Sequence, residues 1–322
     1  MASLCFAAGV AAFCLAASVS AQNYPVRPVR LVVAYAPGGP GDILGRMISP
    51  KLGEILGQQV IVENRPGADG NIGLEVVAKS APDGYTLLLG DMPIAANPSL
   101  HKALPFNVGK DLAPIGMIAS APVLLVVHPA VPATGAAELI ALARSQPGRL
   151  SFGSPGRGTP PDLAAELFKE VHGLDILSVP YKGAGPALTD LVGGRVSFMF
   201  IGISASKSFI ESGKLRALAI TGKKRAAMLP DVPTLAQAGS PLPDLDFGSW
   251  WGLLGPRALP KDIVSKVNDS LVRTLALPDL RGRLAALNFD PITGSPEEFS
   301  VFIEAEINKW ARVIRRAGIK PD

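Results

Sequence analysis

Two glycine-rich segments of the chain combine residue types that favour anion binding. The first is Ala36-Pro-Gly-Gly-Pro-Gly-Asp42, and the second is Ser154-Pro-Gly-Arg-Gly-Thr159. Each follows a short apolar run typical of a strand and precedes a helical pattern, which starts near Ile43 in one case and near Leu163 in the other. A turn of this kind presents backbone N–H groups at the positive end of a helix dipole. The pair predicts a carboxylate or similar anion held between two α/β lobes.

Motifs that would indicate catalysis are sparse. A dinucleotide-binding fingerprint fails at the first turn, because the third glycine after Gly39-x-Gly41 would fall on Leu44. Ser204-Ala-Ser-Lys207 matches a Ser-x-x-Lys pattern, so a periplasmic hydrolase using Ser204 and Lys207 is one alternative, and a solvated helix start is the other. No metal-ligand spacing links the three histidines, His101, His128 and His172. We therefore expect binding rather than catalysis, with no metal and no cofactor.

The first 21 residues indicate export. They carry no charged side chain, they are almost wholly apolar from Leu4 to Val19, and Val19-Ser20-Ala21 matches the small-x-small pattern of a signal cleavage site. A membrane anchor is the alternative, although the apolar run is short for a span. Cleavage after Ala21 would remove both cysteines and leave a periplasmic protein without thiols or disulfides.

The size and charge of the chain limit the classes of function that it could have. Its 322 residues are enough for two domains. The formal net charge is +4, and the basic residues are dispersed rather than interleaved with aromatic residues. This pattern disfavours nucleic acid as a partner and adds only a weak attraction for small anions.

Short apolar runs alternate with helical patterns along most of the chain. They predict a strand at 30–35 with a helix at 43–56, and a strand at 150–153 with a helix at 161–172. Alternation of this kind predicts parallel sheets with helical crossovers, and hence an α/β fold.

Two apolar segments without a helical pattern are candidates for crossovers between lobes, at Ile115–His128 and Phe247–Pro256. They divide the chain into a first lobe at 24–120 plus 248–322 and a second lobe at 121–247. Two crossover strands would form a hinge that lets the lobes close on a ligand in the cleft.

The last helix has a clear start. Ser295-Pro-Glu-Glu298 matches a capping box with proline at the first helical position. An apolar stripe from Phe299 to Ile314 includes Trp310, and Gly318 follows the last turn. We interpret this helix as structural, packed on the first lobe.

Motifs along the whole exported chain point to one family. They are Tyr24-Pro-Val-Arg-Pro-Val-Arg-Leu-Val-Val33, Ala36-Pro-Gly-Gly39, Val62-Glu-Asn-Arg-Pro-Gly67, Gly70-Asn-Ile-Gly73, Ala81-Pro-Asp-Gly-Tyr-Thr-Leu-Leu-Leu-Gly90, Asn97-Pro-Ser-Leu100, Val179-Pro-Tyr-Lys-Gly183, Leu229-Pro-Asp-Val-Pro-Thr234 and Trp310. Together they resemble the solute-binding proteins of tripartite tricarboxylate transporters, also called the Bordetella uptake gene (Bug) family.

The resemblance implies a periplasmic binding protein of the type II, or Venus-flytrap, architecture that holds a small carboxylate in its cleft. The positions that match the family's ligand loops and cleft walls are Tyr35, Ala36, Pro37, Gly38, Gly39, Gly41, Asp42, Asp91, Met92, Ser154, Gly156, Arg157, Gly158, Thr159, Tyr181, Lys182, Gly183 and Ile201. The resemblance also implies that some members deliver their ligand to membrane permease subunits, which are candidate partners here. We expect a monomer without enzyme activity. A ligand-sensing receptor for a two-component kinase is the alternative within the same family.

The chain departs from the family pattern at several of these positions. Gly41 stands where the family commonly has threonine, and Pro160-Pro161-Asp162 stands where it commonly has Ser, Gly and His. Arg157 replaces a smaller polar residue, Ile201 replaces an aspartate, and Asp91 replaces a small hydroxyl residue.

These departures bear on the ligand class. Arg157 is either a solvated loop residue or a bidentate partner for a ligand carboxylate. Ile201 either packs in the core or lines the cleft, where loss of the aspartate argues against a ligand amine. Asp42 is expected to cap the first helix, and Trp250-Trp251 to be either a buried crossover strand or a cleft wall. We expect a small organic acid without a free amine, including aromatic acids.

Overall fold

The computed structural model describes residues 24–222, 224–242, 248–316 and 319–321, which form two α/β lobes. The signal segment predicted at 1–21 with its cleavage site, Phe247 and Gly318 lie outside the described residues. None of the described helices has the length and apolar character needed to cross a bilayer.

The elements of the described ranges alternate along the chain. The strands are β1 (Val29–Val33), β2 (Val60–Asn64), β3 (Thr86–Asp91), β4 (Leu112–Ala121), β5 (Val123–Val127), β6 (Ser151–Ser154), β7 (Leu177–Pro180), β8 (Phe198–Gly202), β9 (Arg216–Ile220), β10 (Ser249–Pro256) and β11 (Asp290–Pro291). The helices are α1 (Pro40–Leu56), α2 (Asn71–Ala78), α3 (Pro93–Leu100), α4 (Val108–Asp111), α5 (Ala136–Ser145), α6 (Pro160–His172), α7 (Ala184–Val192), α8 (Ile203–Glu211), α9 (Lys261–Leu275), α10 (Pro278–Ala285) and α11 (Pro296–Arg316).

Each lobe contains one mixed sheet. The first has the strand order β11-β4-β10-β3-β1-β2, and the second has the order β7-β6-β8-β5-β9. In the first sheet β1 is parallel to β2 and β3, and in the second β6 is parallel to β7 and β8, as the alternation of strands and helices predicts.

The crossover strands are antiparallel to their neighbours, so the prediction of parallel sheets is wrong at these strands. The chain leaves the first sheet along β4, passes Pro122 and enters the second sheet as β5. It returns as β10 in the opposite direction, and Ser249 pairs with Ala121 in an antiparallel ladder. β5 is also antiparallel to β8 and β9. A helical crossover makes successive strands parallel. No helix joins β4 to β5, so the pattern of alternating strands and helices does not apply to them. The residue boundaries given above for the lobes stay a prediction.

Both helices that follow the glycine turns begin earlier than predicted. Helix α1 starts at Pro40, with Gly39 as its N-cap, and α6 starts at Pro160, with Thr159 as its N-cap. Proline suits the first helical position because its fixed φ matches the helix and its missing N–H would be unpaired there anyway. Asp42 therefore lies inside the first turn of α1 and is not the N-cap.

Alternate residues of β1 enter two different cores. Leu31 and Val33 pack with apolar residues of α1 and α9, whereas Val32 lies in another cluster with residues of α2 and α11. Helices therefore cover both faces of the sheet, and the strand ends are left to form a site. β1 and β6 both end just before a glycine turn, which places the two turns at the carboxyl ends of parallel strands.

The last helix begins at the predicted capping box. The N–H of Ser295 donates to the Glu298 carboxylate at 2.8 Å, and the N–H of Glu298 donates to Oγ of Ser295 at 3.1 Å. Glu306 on this helix is buried and accepts the indole N–H groups of Trp250 and Trp310, each at 3.0 Å. The bond from Trp250 holds α11 against β10, and the bond from Trp310 lies within α11.

We expect Glu306→Ala to lower the free energy of unfolding by roughly 2–5 kcal/mol, because two buried indole N–H groups lose their acceptor. Glu306→Gln keeps a carbonyl acceptor and should cost less. Urea denaturation measures both variants, with Glu304→Ala on the exposed face of the same helix as the control. A Glu306→Ala loss no larger than that of the control would contradict the structural role.

Candidate ligand-binding site

The two predicted turns meet at a narrow cavity between the lobes. Its volume is about 60 Å³, which holds only a few water molecules. The first lobe contributes Tyr35, Ala36, Gly39, Pro40, Gly41, Asp42, Asp91, Ser249 and Trp251, and the second contributes Pro155, Thr159, Pro160, Pro161 and Ala184. The described lining is mostly apolar. It contains two carboxyl groups and no Lys, Arg or His.

The first turn leaves three backbone N–H groups without an acceptor among the described residues. The N–H of Gly38 donates to Oδ2 of Asp42 at 3.1 Å, and Pro40 has no N–H. The N–H groups of Gly39, Gly41 and Asp42 make no hydrogen bond to any described residue. They lie at the positive end of the 17-residue helix α1, which favours an anion.

Trp251 adds an indole N–H beside this turn. Its Nε1 is 3.2 Å from the position that a Cβ on Gly41 would occupy, so glycine at 41 keeps the approach open. Within the described part of the chain this indole N–H has no acceptor. Trp251 is 3% exposed and packs edge-on against Phe289, so it is both a buried crossover residue and a wall of the cavity.

The start of α6, the helix after the second turn, offers no comparable donors. Pro160 and Pro161 occupy its first two positions and lack N–H groups. The next N–H, that of Asp162, donates to Oγ1 of Thr159 at 3.4 Å. The N–H of Gly158 donates to Oδ2 of Asp162 at 2.9 Å.

The remaining N–H groups of the second turn are also used within the protein. Oδ1 of Asp69, from the first lobe, accepts the N–H of Arg157 at 2.9 Å. The N–H of Gly156 donates to Oγ of Ser154 at 3.3 Å, and that of Thr159 donates to the Gly156 carbonyl at 3.2 Å. The expectation of bare N–H groups therefore holds for the first turn and is wrong for the second.

Eleven of the eighteen predicted site residues do not line this cavity: Pro37, Gly38, Met92, Ser154, Gly156, Arg157, Gly158, Tyr181, Lys182, Gly183 and Ile201. The guanidinium of Arg157 donates to the carbonyl of Lys320 at 2.6 Å, so this side chain contacts the C-terminal segment. Met92 and Ile201 are fully buried in apolar clusters. Ile201 thus packs in the core, and Arg157 is not placed for a bidentate contact in the cavity.

Tyr181 and Lys182 line a second, wider recess beside the cavity, with a volume of about 520 Å³. Tyr35 lines both spaces, and its hydroxyl donates to the carbonyl of Asp69 at 3.2 Å. The hydroxyl of Tyr181 donates to Asp190 at 2.9 Å. The ring of Tyr35 therefore stands at the boundary between the two spaces.

Sequence reasoning missed Asp69 and Ser249. Ala68 and Asp69 both adopt left-handed backbone conformations, with φ of 46° and 54°. Such conformations are rare without glycine, and the flanking Gly67 and Gly70 were the signal of an irregular turn. Ser249 begins a buried strand and directly precedes Trp250-Trp251, the candidate cleft wall of the sequence analysis, which was the signal for it.

The two cavity carboxyls differ in their environments. Burial alone would raise the pKa of Asp42, but hydrogen bonds from Arg46, the Gly38 N–H and Asn64 hold it below its usual value. Asp91 has a buried Oδ1 with no hydrogen-bond partner among the described residues. Burial raises the pKa of Asp91 to about 8, so it is protonated at neutral pH. Burial, followed by the nearby Asp91 carboxyl, raises the pKa of Tyr35.

The lobes touch through bare backbone at the turns. The N–H of Ala36 donates to the carbonyl of Lys182 at 3.2 Å. A Cβ on Gly185 would lie 2.3 Å from the carbonyl oxygen of Pro37, and one on Gly183 would lie 3.0 Å from the nitrogen of Ala36. The loops of the two lobes approach this closely only because both positions lack side chains.

Lys207, of the alternative catalytic pair, forms an ion pair through Nζ with Glu211 at 2.8 Å on the same helix. The described residues contain no cluster of three or more His, Cys, Asp or Glu side chains that could hold a metal ion.

We expect Gly185→Ala to keep the lobes apart without unfolding either one. Alanine favours the helix of which Gly185 is part, but its Cβ would collide with Pro37 across the cleft. Small-angle X-ray scattering should show a larger radius of gyration, with far-ultraviolet circular dichroism unchanged. Gly282→Ala is the matched control, because a Cβ there meets no atom within 4 Å. Equal radii for the two variants would contradict the contact.

We expect Asp91→Asn to stabilise the protein increasingly as the pH rises from about 4 to about 8. Aspartate titrates near 3.9 in an unfolded chain, whereas the folded-state pKa of Asp91 is about 8. Between these values folding must retain a proton that the unfolded chain has lost, so stability present below pH 4 is lost by pH 8. Urea denaturation at several pH values measures the difference.

Asp42→Asn is the control of opposite sign for this titration. Because the pKa of Asp42 is lowered, its carboxylate stabilises the fold above the unfolded pKa, and that contribution is lost as the pH falls. A difference between wild type and Asp91→Asn that does not vary with pH would show that Asp91 is not buried as described.

Known proteins with the same architecture cover almost the whole chain. A family model described as the tripartite tricarboxylate transporter family receptor matches residues 44–319. Protein BugT of Bordetella pertussis is 37% identical over 308 residues, covering 95% of this chain and 94% of that protein.

Two solved structures are also similar. A protein from R. palustris solved with adipate is 38% identical with a TM-score of 0.89, covering 93% of this chain and 100% of the other. MatC from Rhodopseudomonas palustris, with bound malate, is 33% identical with a TM-score of 0.84, covering 90% of this chain and 100% of the other. On the family match and these relatives, the chain belongs to the tripartite tricarboxylate transporter family of receptors.

Proposed function

We propose that this protein is a periplasmic solute receptor that binds a small carboxylate between its lobes and delivers it to a tripartite transporter. Membership of the receptor family supports this class of function. The relatives solved with adipate and malate make small carboxylates the ligands to test first.

The first turn gives the strongest support for an anionic ligand. Three backbone N–H groups at the start of α1 and the indole N–H of Trp251 have no acceptor among the described residues, and all belong to residues that line one cavity. Donors of this kind bind a carboxylate without any cationic side chain. Tyr35, Ala36, Gly39, Gly41, Asp42 and Asp91 are the predicted ligand residues that line the cavity from the first lobe.

The uncharged, apolar first 21 residues support export to the periplasm. A ligand-bound receptor then has a transporter as its partner, as the family description implies. A monomeric state and the choice between transport and sensing stay predictions, since both roles begin with the same binding step.

We expect at least one small carboxylate to raise the melting temperature of the purified protein. A ligand at one hundred times its Kd stabilises the native state by about 2.7 kcal/mol, which corresponds to several degrees. A thermal-shift screen of mono-, di- and tricarboxylates, aromatic acids and amino acids measures this, followed by calorimetry.

Gly41→Ala should weaken the binding of any acid found, because its Cβ crowds the indole N–H of Trp251. Gly282→Ala serves as the matched control, since it adds the same methyl group in open space. A folded protein that responds to none of the acids would contradict the proposed function.

A further inference from the structure

We propose that the cleft selects monocarboxylic acids with an apolar body and discriminates against dicarboxylates. This inference rests on the proposed function and names the substrate class within it. It follows from a difference between the two turns, which resemble each other in sequence but not in the donors they offer.

The first turn can hold one carboxylate. The N–H groups of Gly39, Gly41 and Asp42 and the indole N–H of Trp251 have no other acceptor among the described residues. The one carboxylate beside them, that of Asp42, is already compensated by Arg46, Asn64 and the Gly38 N–H. A ligand carboxylate therefore meets donors there without an opposing, unpaired charge.

The second turn cannot hold another carboxylate in the same way. Pro160 and Pro161 remove two N–H groups from the start of α6, and Thr159 satisfies the third. The N–H groups of Gly158 and Arg157 already donate to carboxylates of the protein itself, those of Asp162 and Asp69. An entering carboxylate would have to displace one of them.

The rest of the cavity is apolar. Pro155, Pro160, Pro161 and Ala184 line it from the second lobe, and the described lining has no cationic side chain. The raised pKa of Asp91 keeps this other cavity carboxyl uncharged at neutral pH, and its buried Oδ1 has no partner among the described residues. A second ligand carboxylate in this cavity would thus have no counter-charge, which is costly, whereas apolar ligand atoms gain from contact with these apolar walls.

The test compares matched acids by isothermal titration calorimetry on the mature protein at neutral pH. Pentanoate is paired with glutarate, and benzoate with phthalate, so that each pair differs by one carboxylate. We expect the monoacid of a pair to bind at least about a hundredfold more tightly than its diacid.

A proline substitution tests whether the missing N–H groups of α6 cause the discrimination against diacids. Pro161→Ala restores one N–H at the second position of α6 and keeps the position apolar. We expect it to improve glutarate binding about tenfold relative to pentanoate binding. Pro278→Ala is the matched control, because it restores an N–H at the start of α10, which does not line the cavity.

The outcomes separate this inference from the proposed function. Diacids that bind as tightly as their monoacids, or a Pro161→Ala variant with no gain for glutarate, overturn the selectivity and leave a carboxylate receptor. Binding of pentylamine or of amino acids alone, with no response to any of the four acids, overturns both.

Discussion

An α-helix begins with backbone N–H groups that no residue of the same helix can accept, and the site depends on how two such helix starts are satisfied. At α1 the N–H groups of Gly39, Gly41 and Asp42 have no acceptor among the described residues, whereas the Gly38 N–H donates to Asp42. At α6 the protein satisfies or deletes every one of them. The same requirement therefore leaves donors without a described acceptor in one lobe and produces a closed structural turn in the other.

The closed turn has a second role, because one of its acceptors comes from the opposite lobe. Asp69 reaches Arg157 across the cleft from a pair of left-handed residues that cost backbone strain. The side chain of Arg157 in turn contacts the carbonyl of Lys320. The interlobe hydrogen bond between Asp69 and Arg157 and the close backbone contacts of Gly183 and Gly185 hold the two lobes together near the turns. The interlobe contacts of Ala36 and Pro37 therefore lie directly before the three unpaired N–H groups of the first turn.

The sequence predicted the lobes and the turns because both rest on local patterns. Alternating apolar strands and helices indicated two α/β units, and strand–glycine–helix segments located the turns at the strand ends. The antiparallel crossover strands were not predictable from alternation, since only their pairing across the two sheets reveals their direction. Arg157 and Ile201 were ambiguous for a similar reason: the Lys320 carbonyl and the core around β8 are distant in the chain.

The asymmetry of the turns, by contrast, was readable from residue types alone. Proline at two successive helical positions deletes two donors whatever the tertiary fold, and a threonine before them supplies a cap for the next. Aspartate follows at the third helical position in both helices, and in both it accepts the N–H of a glycine four residues earlier. A glycine-rich turn before a helix is thus not enough to predict an anion site. The prediction must count which N–H groups exist and which have a neighbouring acceptor, and by that count the first of these two turns qualifies and the second does not.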